Sequence, residues 1–581
     1  MSRRFALVLC LLAAIAGSVQ GQDTTVIVID PNAPAVPVRV STGPPIDIVR
    51  EAVARYNDST VSQFFGSFTV ASGTAIEGDV VMYRGTLRVI GRITGRVTII
   101  NGNIVLGPLG TVTGDILVLG GRSQVAPSAR HAGTLRVFGD PAPVSRTPSG
   151  KLEIRERPQT LGELAAARAS FQAGRLKATI SLETGQTYNR VEGLPILVGP
   201  TFTVPTPNQG EFRADLWGLL RTEKDETDQL PALGWRTRFE WESKAQVSGG
   251  VGLRWESVLQ SIDSRQLTRD ELGWSSFFFH RDYDDYFESN GIEGYAYYRP
   301  VPSVRLLGSA RYDRQRTVPA SDPISVFRND EPWRPNTLID DGHFISLRFQ
   351  VDIDSRNSTR TPTAGWLVNA WLEHSSSDNV APIALPSELR SPIPTFRGYG
   401  FNHVGFDIRH YSRINQLSRV NLRVAGGGWL SGDPLPIQRR LALGGPGLLP
   451  GHAFRSQTCA PASFSDPAQS GFCDRFLAIQ GELRIRVPLS LRDVIGAQEW
   501  YLVDRLFGGD LADIVIFGDA GKAWLTGEGP SRVPNNRIPV FGEWDYDVGA
   551  GLDIGGLAIF VAKSVSTDDA PRFILRLQRR F

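Results

Sequence analysis

The chain has 581 residues, with 62 lysines and arginines against 60 aspartates and glutamates, and a balance so near zero excludes a protein that holds nucleic acid by charge. Past residue 16 there is no run of about eighteen apolar residues, which excludes a spanning helix. A membrane barrel stays open, because its strands place apolar residues only at every second position.

Arg3 and Arg4 precede an apolar run from Phe5 to Ala16, and Val19 and Gly21 stand where a cleavage site needs small residues. Residues 1–21 therefore read as a secretory signal peptide. Leu9, before Cys10, is not the small residue that lipoprotein processing uses. In an exported chain the remaining cysteines, Cys459 and Cys473, predict one disulfide. Residues 22–60 form a short arm, in which IDIVREAVARYN reads as a turn or two of amphipathic helix.

Residues 61–145 repeat. GDVVMY from Gly78, GRVTII from Gly95, GDILVL from Gly114 and GTLRVF from Gly133 recur at spacings of 17, 19 and 19 residues. A glycine turn followed by alternating β-branched residues at this period predicts a β-solenoid, whose coils bury their apolar face only by stacking. A small β-sandwich is the alternative. Over roughly residues 70–140 the pattern resembles the bactofilins, bacterial polymer-forming cytoskeletal proteins. Residues 146–174 are a Pro/Ser-rich linker followed by a short helix, begun by the capping-box pair Thr160 and Glu163 and stopped at Gly174.

Residues 175–581 change register. In GWRTRFEWE, Trp235, Thr237, Phe239 and Trp241 alternate with Arg236, Arg238, Glu240 and Glu242. FISLRFQVDID and FLAIQGELRIRVP do the same. Full charges on one face over nine or more residues fit a strand between lipid and a wet lumen, whereas strands of soluble sheets usually stop at about five or six. Such segments start near 176, 190, 211, 234, 249, 290, 304, 343, 365, 403, 418, 476, 512, 544, 557 and 572, which makes sixteen. Short connections (300–303, 415–417) fall on one side and long ones (261–289, 316–342, 377–402, 430–475) on the other, the asymmetry of periplasmic turns and outer loops. The expected fold is all-β, a sixteen-stranded antiparallel transmembrane barrel in a Gram-negative outer membrane, preceded by a short periplasmic solenoid. Its last strand, RFILRLQRRF, ends at Phe581.

Five pieces in this order, YNRVEGL at 188–194, RDYDDYFE at 281–288, LGGPGLLPGHAF at 443–454, FGDAGKAW at 517–524 and the terminal aromatic strand, resemble the bacterial surface antigen superfamily of outer-membrane barrels to which the BamA and TamA types belong. The resemblance implies that the loop between the eleventh and twelfth strands folds into the lumen, where its V-R-G-F/Y motif docks near an Asp-Ala-Gly element of the wall. Leu449, Pro450, Gly451 and His452 take the motif positions; Asp519, Ala520 and Gly521 match the wall. Pro450 replaces the family arginine, His452 stands where an aromatic is usual, and Arg455 is expected to bring a guanidinium near Asp519. Gly444, Gly445 and Gly447 then shape a lumenal plug, the alternative being a floppy surface loop. Phe581 is implied as an insertion signal read by the barrel assembly machinery.

The family implies transport or assembly of proteins or lipids at the outer membrane, whose lipid is the surrounding partner. Its members usually carry POTRA modules, and nothing before residue 175 reads as one. An anchor for a solenoid that associates with itself or with envelope material is therefore the second reading. An outer-membrane hydrolase with a site assembled across strands is the third. No G-x-S-x-G, H-E-x-x-H or P-loop occurs, so no enzyme, cofactor or metal is expected. Asp282, Asp284 and Asp285 lack the spacing of a calcium loop and are expected in a solvated acidic outer loop.

Overall fold

The computed structural model describes residues 46–581 apart from 139–141, 143, 148–149, 155–166, 185–186, 207–209, 224–229, 244–247, 358–361, 394–397, 416, 461–463, 465–471, 488–511, 529–530 and 555–556. The expected leader, the first part of the arm and the capping-box pair Thr160 and Glu163 lie outside the described residues.

The repeats form a three-sided solenoid. Its first face stacks β1 (Ser62–Phe65), the first half of β4 (Val80–Val89), the first half of β6 (Val97–Leu106), β8 (Ile116–Leu119) and β11 (Leu135–Phe138), all parallel. The second face stacks β2 (Phe68–Val70), the second halves of β4 and β6, and β9 (Ser123–Val125). The third stacks β3 (Ala75–Ile76), β5 (Arg92–Ile93), β7 (Thr111–Val112) and β10 (Arg130–His131). Val80 pairs with Val97, Val97 with Ile116 and Ile116 with Leu135, so each repeat of the sequence is one coil. At one corner the glycine column is obligatory: a Cβ on Gly95 would lie 2.3 Å from the backbone of Gly78. Val80, Met82, Ile99, Val118 and their neighbours fill the interior.

The outer side of the first face is covered. Helix α1 (Ile46–Tyr56) and the hairpin of β12 (Val144–Arg146) and β13 (Leu152–Ile154) pack on Val81, Tyr83, Ile100, Leu119 and Phe138. Asn57 fixes the hairpin, its side chain both donating to and accepting from the Leu152 backbone at 2.7 Å.

The rest of the chain builds one 18-stranded sheet. Its strands in chain order are β14 (Ala167–Ala173), β15 (Leu176–Thr184), β16 (Ile196–Thr206), β17 (Gly210–Leu220), β18 (Leu233–Ser243), β19 (Ser248–Ser261), β20 (Tyr286–Val301), β21 (Val304–Thr317), β22 (Gly342–Asp354), β23 (Gly365–Ser377), β24 (Tyr399–Arg413), β25 (Ser418–Gly432), β26 (Arg475–Val487), β27 (Ala512–Thr526), β28 (Arg532–Val533), β29 (Asp545–Ile554), β30 (Leu557–Ser564) and β31 (Arg572–Arg576). Neighbours are antiparallel throughout, except for the two-residue β28, which lies parallel to the end of β27. Without β14 and β28 these are the sixteen expected strands. Among the described residues β14 and β31 are not paired with each other.

Alternation works as the sequence requires. Phe239, Trp241, Trp255, Ile345, Leu347 and Phe349 point outward with roughly half of their surface uncovered, a wall that suits lipid and not water. Inward-facing charges pair across strands, as in Arg238–Asp215 at 2.6 Å and Arg299–Glu242 at 2.6 Å. The fold is an outer-membrane-type β-barrel. No helix among the described residues is long and apolar enough to cross a membrane.

Three local expectations are corrected. Residues 167–173, read as the end of a helix, are β14, because the open edge of β15 offers seven pairs through a hairpin that turns at Gly174. The strand placed near 190 begins at Ile196; Asn189 and Gly193 instead close a tight turn that buries Arg190 and Val191. The terminal strand stops at Arg576, and residues 577–581 leave the sheet.

Candidate functional site in the lumen

The stretch from Gly444 to His452 lies inside the barrel, buried except for the half-buried Pro446. Backbone bonds fold it on itself: Gly445 N–H and His452 N–H both donate to the Leu449 carbonyl, at 3.2 and 3.1 Å. Gln266, from the loop after β19, holds it from one side, accepting from Gly447 N–H and donating to the Gly444 carbonyl, both at 3.3 Å. From the wall, Gln480 of β26 donates to the Leu448 carbonyl at 2.9 Å. Asp547 of β29 accepts from Gly451 N–H at 2.7 Å. His452 Nε2 meets the Tyr546 carbonyl at 3.2 Å.

Leu443, Leu448 and Leu449 pack with Phe476, Ala478 and Ala425 of the wall. Gly521 is where the wall admits them, since a Cβ there would lie 3.2 Å from Leu443 and 3.3 Å from Leu449. Gln457 seals the contact by donating to the Gly521 carbonyl and accepting from Ala523 N–H. Pro450 is buried.

Asp519 does not meet Arg455. Its partner is Arg580, in the segment that left the sheet, whose guanidinium also lies 3.7 Å from the centre of the Phe517 ring. Arg579 lies 3.8 Å from both Asp513 and Asp553, so the C-terminal residues sit against lumenal carboxylates. Phe581 is itself buried. Arg455, whose backbone is left-handed, turns instead to a cap made by the long loops after β19 and β21.

In that cap Arg455 pairs with Asp285, between the rings of Phe454 and Phe472, each 4.7 Å away. Arg334 reaches the same carboxylate at 2.8 Å, and the wholly buried Arg190 spans Asp285 and Asp282. The three aspartates are thus buried, and the expectation of a solvated acidic loop is overturned: arginines far away in sequence converge on them. Burial pushes the Asp285 carboxyl up, but Arg455, Arg334 and Arg190 outweigh it and hold it well below the ordinary range. Asp284 is pushed well above that range by its own burial and by the charge of Asp282.

Helix α2 (Arg269–Phe279), in the loop after β19, completes the plug. Thr268 caps it in a capping box with Glu271, and Glu271 binds Arg576 at 2.7 Å. Gln266, Glu271, Gln480 and Asp547 carry contacts that the sequence does not single out. Period-two alternation marks the last two as inward-facing, yet many inward polar residues look the same.

Cys459 and Cys473 are bonded, with Cα atoms 5.2 Å apart. Cys473 also bridges to Leu441 through both backbone bonds, so the disulfide ties the exit of the loop to its entry. Thiol labelling of the purified protein is expected only after reductant, and reduction is expected to expose the 441–457 region to protease while the barrel keeps its heat-modifiable band. A loop closed over about 15 residues contributes roughly 3 kcal/mol; cleavage unchanged by reduction would remove the clamp.

No protein-family model and no curated protein matches the sequence. Among solved structures, the chain is similar to BamA from Haemophilus ducreyi lacking POTRA domains 1–3, with 15% identity, a TM-score of 0.40, and coverage of 74% of this chain and 73% of that one. It is also similar to CdiB from Acinetobacter baumannii, at 9% identity and a TM-score of 0.28, covering 71% of this chain and 65% of the other. For CdiB from Escherichia coli the values are 9%, 0.31, 71% and 66%.

Proposed function

We propose that this protein works in the assembly or transport of proteins or lipids at the outer membrane, with the solenoid in the periplasm. The observation that supports it is the lumen: the barrel is filled by its own outer loop, docked through Gly451, Leu449 and Gln480, and a filled barrel is poorly suited to be a pore. In planar bilayers the purified protein is expected to show no steady open channel. Proteoliposomes that contain it are expected to speed the folding of an added unfolded outer-membrane barrel, or the exchange of lipid between vesicles. A steady pore with neither acceleration would sink the proposal.

The second reading, a membrane anchor for the solenoid, is favoured by the covered first face, which makes the solenoid a finished body with two faces left open. Self-association or an envelope partner belongs to this reading.

Insertion itself is assigned to the barrel assembly machinery reading the C-terminal segment. Phe581→Asp places a charge at a buried aromatic position and is expected to lower the heat-modifiable fraction in membranes severalfold. Wild-type levels would remove Phe581 from the signal.

A further inference from the structure

The open faces of the solenoid are charged in one sense only. Its three acidic residues between 62 and 138, Glu77, Asp79 and Asp115, all lie at the corner between the third and first faces. There Asp79 meets Arg96 at 3.3 Å, and Asp115 accepts from the Thr134 backbone at 2.8 Å. The segments that build the second and third faces, 67–76, 86–93, 103–113 and 122–131, contain no aspartate or glutamate. They present Arg88, Arg92, Arg122 and Arg130, all exposed. Arg92 and Arg130 occupy one column, separated only by Thr111, and so stand about 9.6 Å apart on a stiff surface. At the corner joining these two faces Leu109 is 72% exposed.

An apolar tip between guanidiniums is the composition of an interfacial anchor, and basic side chains near an anionic leaflet each contribute about fivefold in binding. The reach is short as well. Residues 155–166 are the chain between β13 and β14, and fully extended they span at most about 47 Å, which keeps the solenoid beside the membrane that holds the barrel. The two faces offer no tryptophan or tyrosine on which a sugar ring would stack. We propose that the second and third faces of the solenoid rest on an anionic lipid surface, the inner leaflet of that same membrane, with Leu109 entering the headgroup layer between Arg88, Arg92 and Arg130.

The test uses the full chain with Cys10→Ser, reconstituted with Leu109→Cys carrying an environment-sensitive fluorophore; Cys459 and Cys473 are joined to each other and take no label. Emission is expected to shift to the blue in vesicles containing phosphatidylglycerol, relative to phosphatidylcholine alone, and to return in high salt. Combining Arg88→Gln, Arg92→Gln and Arg130→Gln is expected to weaken the association on the order of a hundredfold, with the β signal kept because all three side chains are exposed. Equal emission in the two lipid compositions overturns the proposal without recourse to any variant. So does a triple variant that keeps the shift, and so does loss of the shift on adding soluble wall glycan fragments, which would give these faces to a wall polymer.

Discussion

Gly451→Ala is expected to release the lumenal loop. A Cβ at this position would lie 2.5 Å from Cβ of Asp547 and 2.7 Å from both the Lys563 carbonyl carbon and the Ser564 nitrogen. Two of those three atoms are backbone at the top of β30, held by its pairing with β29, so the wall has little room to give. The loop must retreat, and the 2.7 Å bond from Gly451 N–H to Asp547 goes with it. Overpacking costs about 1–3 kcal/mol and losing a buried hydrogen bond about 0.5–1.5 kcal/mol, enough together to undock one loop. Protease is expected to cleave near 441–457 at least tenfold faster, with the barrel still heat-modifiable. Gly308→Ala, in β21 with nothing within 4 Å of the added Cβ, is the control and is expected to behave as wild type. A Gly451→Ala protein as resistant as the control would show that the docking is not tight.

How much of this was legible in the sequence depends on the range of the force that decides each feature. The coils of the solenoid and the wall of the barrel were readable because burial repeats locally: Gly95, Gly114 and Gly133 each stack on the turn before, and Phe239 and Trp241 face lipid because Arg238 and Glu240 face water. Residues 167–173 were misread because a capping box at Thr160 is a local signal, whereas the free edge of β15 that recruits them is a property of the finished sheet. The aspartates at 282–285 looked solvated because the one arginine beside them, Arg281, cannot balance three carboxylates, and it is itself exposed. Their partners, Arg190, Arg334 and Arg455, come from three other loops. The same limit misplaced Arg455, whose motif position pointed to Asp519. The C-terminal segment supplies Arg580 to that carboxylate instead, once β31 stops at Arg576.

Neighbouring acids in the cap are expected to answer mutation in opposite ways. Asp285 has no exposed side-chain surface and is shared by Arg190, Arg334 and Arg455, while Thr337 donates at 2.7 Å to the oxygen that meets Arg455. Asp285→Ala leaves that positive charge confined with too little to balance it, a loss of about 3–5 kcal/mol for a buried pair broken on one side. The outer loops are expected to open to protease, and because Arg455 loses its anchor the lumenal loop should loosen with them. Asp284 is the reverse case. Its carboxyl is buried, takes a 2.8 Å bond from Ser261 on one oxygen, and is pushed well above the ordinary range by burial and by Asp282. A group whose pKa is raised on folding stabilises the fold below its unfolded value and loses that contribution as pH rises through the folded one. Asp284→Asn keeps the shape of the protonated acid and cannot ionise, so it is expected to leave the cap unchanged in acid and to make it more resistant than wild type as pH rises. The signs for Asp285 run the other way: its depressed pKa gives stability above the ordinary carboxylate range, lost only as pH falls through the lower folded value. The measurement is protease resistance of the outer loops against pH for wild type, Asp284→Asn and Asp285→Ala. If Asp284→Asn weakened the cap at alkaline pH, Asp284 would be a working anion and the arginines would be shared among three carboxylates instead of two.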